Sequence, residues 1–345
     1  MAASVRVAVL GATGYTGVEL LRLLARHPAA GIAFISSEQY RGQRVSEVYP
    51  FLGGIVDGTL RAPEPADVAD ASEIVFMAVP HGTAAPIASE LLRRGRRVID
   101  LSADFRLRDP AVWARWYGHE HRAPELLGTA VYGLPELYRK RLRTAHLVAV
   151  PGCYPTGALL GLVPLARAGL LREPVIIDAK SGTTGAGRGA KVEQLFAEVS
   201  ENFRPYAIGE HRHGPEIDQE LRAAGASGAV LFVPHLLPVR RGILSTMYLR
   251  APGGRPPLER IFEEAYGGEP FVVLRGEGAP PELREVRGTN RCVLGWRWDA
   301  PSGQAVVVTA IDNLGKGASG QAVQCMNAML GLPETTGLDA PALLP

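Results

Sequence analysis

Along the first 150 residues, short apolar runs alternate with stretches in which apolar residues return every three or four positions. The runs "VRVAVL" (5–10), "IAFIS" (32–36), "EIVFMAVP" (73–80), "RVIDLS" (97–102) and "HLVAVP" (146–151) are continuous rather than alternating, as in strands buried on both faces. Between them, "YTGVELLRLLARH" (15–27) and "GTAAPIASELLRR" (82–94) carry the helical period. This pattern predicts βαβ units and hence an α/β fold with a doubly wound parallel sheet over residues 1–153. Beyond 153 the texture turns β-rich: "PVIIDAKSG", "AVLFVP", "ILSTMYL", "RCVLGWRW" and "QAVVVTAID" follow with few helices between them. The last two, joined by "DAPSG", read as a hairpin. A second α+β domain with a mostly antiparallel sheet is therefore expected over 154–315. The helical segment 316–332 is expected to pack back on the first domain.

Composition narrows the classes. With 345 residues, one large or two medium domains are expected. The start of the chain lacks a charged segment followed by an apolar stretch, and no apolar run approaches the ~20 residues of a membrane span. Cys153, Cys292 and Cys325 are odd in number and widely spaced, which argues against disulfides and against a zinc site. A cytoplasmic protein without metal or membrane partner is the expectation. A net charge of +2 gives no case for nucleic acid. Two local basic runs, "RRGRR" (93–97) and "YRKRLR" (138–143), read as solvated helix ends in preference to a docking rim for an acidic partner.

The first strand runs into "GATGYTG" (11–17), and a helix opens on the last turn of that loop. Gly11, Gly14 and Gly17 would let the backbone approach a pyrophosphate at a helix N-terminus, with Thr13, Tyr15 and Thr16 in the same loop. After the second strand come Ser36, Ser37, Glu38 and Arg41. Small hydroxyls with a nearby arginine suit the 2′-phosphate of NADP, whereas Glu38 would oppose it if it pointed inward.

In "VAVPGCYPTG" (148–157), Cys153 stands at or just before a helix N-terminus, because proline is favoured in a first helical turn. There the helix dipole and free N–H groups favour a thiolate. Alone, such a cysteine in an apolar setting is more often core than catalyst. "GEHRHGPEI" (209–217) supplies a possible base, with a helix expected to begin at Gly214 and Pro215 and Glu216 in its first turn.

Taken together, "GATGYTG", "DLSADFR" (100–106), "PGCYPTG" (151–157), "GEHRHGPEI" and "DNLGKGASGQAVQ" (312–324) resemble the long-type N-acetyl-γ-glutamyl-phosphate reductases, relatives of aspartate-semialdehyde dehydrogenase. The motifs occur in that family's order and span nearly the whole chain. The resemblance implies a Rossmann-type NADP domain and a catalytic domain that also assembles homodimers or homotetramers. It implies that Cys153 attacks an acyl phosphate and forms a thioester, that NADPH reduces it, that His213 is the acid/base and that Glu216 orients it. By the same resemblance Arg106, His211 and Arg240 or Arg241 meet substrate, and Ser181, Gly182 and Asn313 line the cofactor or substrate site. "SGTTGAG" departs from the family's SGVSGAG or SGASGAG wording, and Gly214 replaces a larger residue. Both bear on substrate choice. The expected substrate is N-acetyl-γ-glutamyl phosphate of arginine biosynthesis. The alternative is aminoadipyl phosphate of lysine biosynthesis, borne by an acidic amino-group carrier protein. An aspartate-semialdehyde dehydrogenase, or a regulator that kept the nucleotide fold and lost catalysis, fits the motifs less well.

Overall fold

The computed structural model describes residues 4–251 and 253–343. It divides into two compact units, Met1–Pro151 with Ala318–Asp339 and Gly152–Gly317 with Ala340–Pro345.

The first unit is built on six strands, β1 (Val5–Leu10), β2 (Ala30–Ile35), β3 (Ile74–Met77), β4 (Arg97–Asp100), β5 (Val131–Tyr132) and β6 (Leu147–Ala149). They lie in the order β2-β1-β3-β4-β6-β5, and every neighbouring pair is parallel. The continuous apolar runs have the expected cause: all four residues of β3 are buried, since helices cover both faces of such a sheet. From β1 the chain passes to β2 on one side and then to β3 on the other. That reversal opens a crevice beyond the carboxyl ends of β1 and β3, which are in register at Leu10 and Met77. The helix Gly320–Leu330 belongs to this unit. Ser319 Oγ donates to the Thr16 carbonyl at 2.9 Å, and His27 Nε2 lies 2.9 Å from Asn327 Oδ1.

Strand β5 and the helix Pro110–Tyr117 fall outside the elements that periodicity marks out. Two residues are too few to show a period. The helix did have a local signal, because Asp109 caps the N–H groups of Ala111 and Val112 directly before Pro110.

In the second unit, β7 (Val175–Ser181), β8 (Arg204–Pro205), β9 (Val230–Leu236), β10 (Ile243–Arg250), β11 (Val272–Glu277), β12 (Cys292–Asp299) and β13 (Gln304–Ile311) form one sheet in the order β11-β12-β13-β10-β7-β9-β8. It is a mixed sheet. Four neighbouring pairs are antiparallel, whereas β11–β12 and β7–β9 are parallel. The β12–β13 hairpin closes with Asp299 opposite Gln304. One sheet face packs on the helix Cys153–Arg167, whose residues 154–166 are all buried. At about 1.5–3 kcal/mol for each large aliphatic side chain, that burial holds the helix firmly. Thr309 Oγ1 on β13 also donates to the Gly157 carbonyl at 3.2 Å, and Tyr266 Oη donates to Leu160 at 2.7 Å. The N-terminus of the helix is thereby fixed over the sheet. No helix among the described residues is long and apolar enough to cross a membrane.

Candidate active site

Cys153 is the first residue of its 15-residue helix, with Gly152 as N-cap and no side chain capping the end. The dipole of a helix N-terminus favours negative charge placed beside it. The thiol is partly exposed, whereas Cys292 and Cys325 are buried. Glu216, 1% exposed, accepts the Gly152 N–H at 2.8 Å through Oε1. This carboxylate, expected to orient the histidine, therefore acts at least on the backbone that presents the cysteine.

The helix carrying Glu216 begins at His213, one residue before the Gly214 start read from the sequence. The Gly214 N–H closes a turn on the His211 carbonyl at 2.8 Å, and Pro215 falls in the first turn, where its missing N–H costs nothing. His213 is set directly against the cysteine's N-cap: a Cβ built on Gly152 would lie 2.4 Å from His213 Nε2. Both Cys153 and His213 border a cavity of about 390 Å³, together with Tyr154, Ser181, Gly182 and His211. That volume suits a small metabolite.

His211 has a different character. Its Nδ1 accepts the backbone N–H of His213 at 3.1 Å, which places the ring proton on Nε2. Tyr154, Tyr206, Phe232 and His213 surround the ring at centroid distances of 4.7–5.6 Å. Burial, helped by Arg212, pushes its pKa down to about 4, which leaves the ring neutral near pH 7. The hydroxyls of Tyr154 and Tyr206 lie 3.0 Å apart. Burial raises both; Tyr206 is pushed up to about 12, and neither ionises near neutrality.

The loops around the cavity are braced by residues expected to touch ligands. Asn313 is buried; its Oδ1 accepts from Gly242 N at 2.8 Å and its Nδ2 donates to Thr184 Oγ1 at 2.9 Å. Arg241 pairs with the fully buried Asp312, Nε to Oδ2 at 3.0 Å, while Arg240 is exposed and its carbonyl accepts from Thr184. Ser181 Oγ donates to Gly182 O, and a Cβ on Gly182 would lie 2.8 Å from Arg240 O. In the first unit, Arg106 is 8% exposed and donates to the carbonyls of Val150 and Leu101. Nearby Asp100, fully buried and close to Asp104, has its pKa raised to about 7 by desolvation first and by that neighbour second.

The glycine loop fits a dinucleotide. Gly11 has φ of +76°, and a Cβ there would lie 2.2 Å from the Ala78 carbonyl beyond β3. A Cβ on Gly17 would meet Gly11 O at the same distance, so the turn closes only without side chains. Gly14 caps the helix Tyr15–Leu24 without a side-chain bond, leaving N–H groups for a pyrophosphate. Ser36 Oγ accepts from Gly11 N, Ser37 Oγ bonds Thr13 Oγ1 at 2.7 Å, and Tyr49 Oη donates to Thr13 O. Both serines are buried and thus tie the loop to the end of β2, while Glu38 and Arg41 are exposed.

Sequence reasoning missed Tyr154, Tyr206, Lys191 and Arg204, all of which line the cavity. Tyr154 follows the cysteine directly, and "NFRPYAI" runs straight into the histidine motif, so proximity in sequence was the available signal.

Comparison with known proteins agrees with this geometry. Residues 6–145 match the family "Semialdehyde dehydrogenase, NAD binding domain", and residues 153–313 match "Semialdehyde dehydrogenase, dimerisation domain". Aspartate semialdehyde dehydrogenase II of Vibrio cholerae shares the fold, with a TM-score of 0.72 at 18% identity over 95% of this chain and 98% of that one. The enzyme of Candida albicans, solved with NADP, also reaches 0.72 at 14% identity, covering 95% and 99%. Proteins named N-acetyl-gamma-glutamyl-phosphate reductase are far more similar. That of Pelotomaculum thermopropionicum is 51% identical over 99% of this chain and 100% of its own length, and that of Azotobacter vinelandii is 52% identical over 99% of each. With a nicotinamide-binding unit, a cysteine at a helix N-terminus and a histidine against its cap, the chain belongs to the N-acetyl-γ-glutamyl-phosphate reductase family.

Proposed function

We propose that this protein reduces N-acetyl-γ-glutamyl phosphate to the semialdehyde with release of inorganic phosphate, a step of arginine biosynthesis. The observation that carries the reading is Cys153 at its helix N-terminus, sharing one cavity with His213, in a chain about half identical to reductases of that name. The Cys153 thiolate attacks the acyl carbon, the C–O bond to phosphate breaks, and a thioester remains on sulfur. Bound nicotinamide supplies the hydride that the thioester carbon requires. His213 takes the thiol proton at the start. It then donates a proton as the C–S bond breaks, releasing aldehyde and restoring the thiol. His211, neutral, donates to substrate oxygen. The direct assay is phosphate-dependent reduction of NADP by N-acetylglutamate semialdehyde. Its absence would overturn the reading.

The carrier-linked aminoadipyl alternative is not favoured. The relatives compared are named for the acetylated glutamyl substrate. The basic runs that would form a docking rim also spend arginines on their own unit: Arg94 on Glu90, Arg97 on the carbonyls of Ala145 and Met329, and Arg139 on Glu334.

NADPH is the proposed donor, with exposed Arg41 reaching the 2′-phosphate, because the Ser36 and Ser37 hydroxyls are engaged within the loop. Arg41→Ala should raise KM for NADPH by about 10- to 100-fold, the worth of a charge-assisted hydrogen bond, and leave KM for NADH unchanged. Equal loss with both cofactors would refute the assignment.

Self-association through the second unit completes the proposal. Ile176 and Leu231 are register partners on β7 and β9, and both are more than 40% exposed on the sheet face away from the Cys153 helix. Adjacent exposed aliphatics on a sheet face are what a second copy would cover. Sedimentation should show a homo-oligomer; a monomer at micromolar concentration would contradict it.

A further inference from the structure

The proposed substrate is anionic at both ends. Its phosphate sits on the carbon that Cys153 attacks, whereas its α-carboxylate lies three carbons away and needs a cation of its own. The resemblance offers Arg106 to the substrate's phosphate and Arg240 or Arg241 to the rest of the substrate, but neither Arg106 nor Arg241 borders the cavity of Cys153. Arg241 is held by Asp312, and Arg106 gives Nε and Nη2 to carbonyl groups. Arg240 does not line the cavity. Among the described residues, the Lys and Arg side chains bordering the cavity of Cys153 are Lys191 and Arg204.

We infer that Arg204 binds the α-carboxylate of the substrate and so selects acidic acyl groups. This inference rests on the reductase reading above. Arg204 lies on β8, whose backbone is paired antiparallel with β9 opposite Leu236, itself a cavity residue. Arg204 and Tyr206, which follows β8 directly, both line the cavity. Tyr206 N is tied to Pro234 O at 3.0 Å, which fixes the segment. Arg204 is half-buried, and its Nη2 donates to the Glu193 carbonyl at 3.2 Å. One corner is thereby anchored, and the remaining N–H groups can form the two-point contact that suits a carboxylate. Lys191 is exposed at the start of the short helix Val192–Gln194 and offers a single point charge. Among the described residues that line the cavity Glu193 is the acidic one, and Arg204 meets it through its carbonyl, so the charge of Arg204 is left for a ligand.

The test runs the reaction in reverse, with NADP, inorganic phosphate and either N-acetylglutamate semialdehyde or 4-acetamidobutanal, which lacks the carboxylate. The unmodified protein should prefer the acidic aldehyde by about 10- to 100-fold in kcat/KM. Arg204→Gln should raise KM for that aldehyde by a similar factor, leave KM for phosphate unchanged and turn over 4-acetamidobutanal as the unmodified protein does. That last reading also shows that the variant is folded. Arg204→Lys should restore part of the preference. A rise in KM for phosphate, equal losses with both aldehydes, or no preference in the unmodified protein would overturn the assignment. Absence of any phosphate-dependent turnover of N-acetylglutamate semialdehyde by the unmodified protein, with 4-acetamidobutanal active or not, would instead sink the reductase reading on which the inference stands.

Discussion

Cys153→Ala will bind NADPH as the unmodified protein does, will keep its unfolding temperature, and will lose at least about 10⁴-fold in turnover of the acyl phosphate. The loss is large because the route depends on covalent chemistry. Without sulfur no thioester forms, and hydride would have to reach the acyl phosphate itself. Cys292 and Cys325 are buried, so neither can substitute. The fold should tolerate the change because the thiol is partly exposed and because the helix is held by residues 154–166, not by its first side chain. Two measurements decide the matter, NADPH oxidation in the steady state and the stoichiometric burst of phosphate in a single turnover. Substantial turnover, or a burst that survives in the variant, would sink the acyl-enzyme route.

His213→Asn should lower kcat by about 10² to 10⁴ with cofactor affinity unchanged, the range expected for loss of a general acid/base. Asparagine retains a polar group of smaller size and so leaves the contact with Gly152 open. The partner substitution sharpens the assignment. Glu216→Gln keeps an oxygen that can accept the Gly152 N–H, so it should cost much less than Glu216→Ala, which leaves that buried donor unsatisfied. If the carboxylate's charge were needed to orient His213, the glutamine variant would instead fall as far as His213→Asn. A crippling effect at His211, with His213→Asn mild, would reverse the roles within "HRH".

Much of this architecture was legible in the residues, for reasons that differ from element to element. β1, β3 and β4 could be read because strands covered on both faces must be continuously apolar, and the glycine loop because its backbone tolerates no Cβ. Cys153 could be placed on its helix because Pro155 marks a first turn. Direction of side chains was not legible. A sequence shows that Arg241 and Arg106 carry charge, but not that one faces Asp312 and the other a pair of carbonyls. Likewise "NFRPYAI" has no period that separates a two-residue strand from a loop, so β8 and its arginine stayed hidden until β9 was seen beside them.

The contact between Gly152 and His213 also constrains how such a chain can change over generations. Any replacement at position 152 brings a Cβ into the space held by the imidazole. The clash could be relieved by a turn of the imidazole or by a smaller residue at 213, and either would disturb the acid/base of the proposed mechanism. Positions 152 and 213 are therefore tied to each other in any drift of the sequence: a side chain at 152 has to come with a displaced imidazole or a smaller residue at 213.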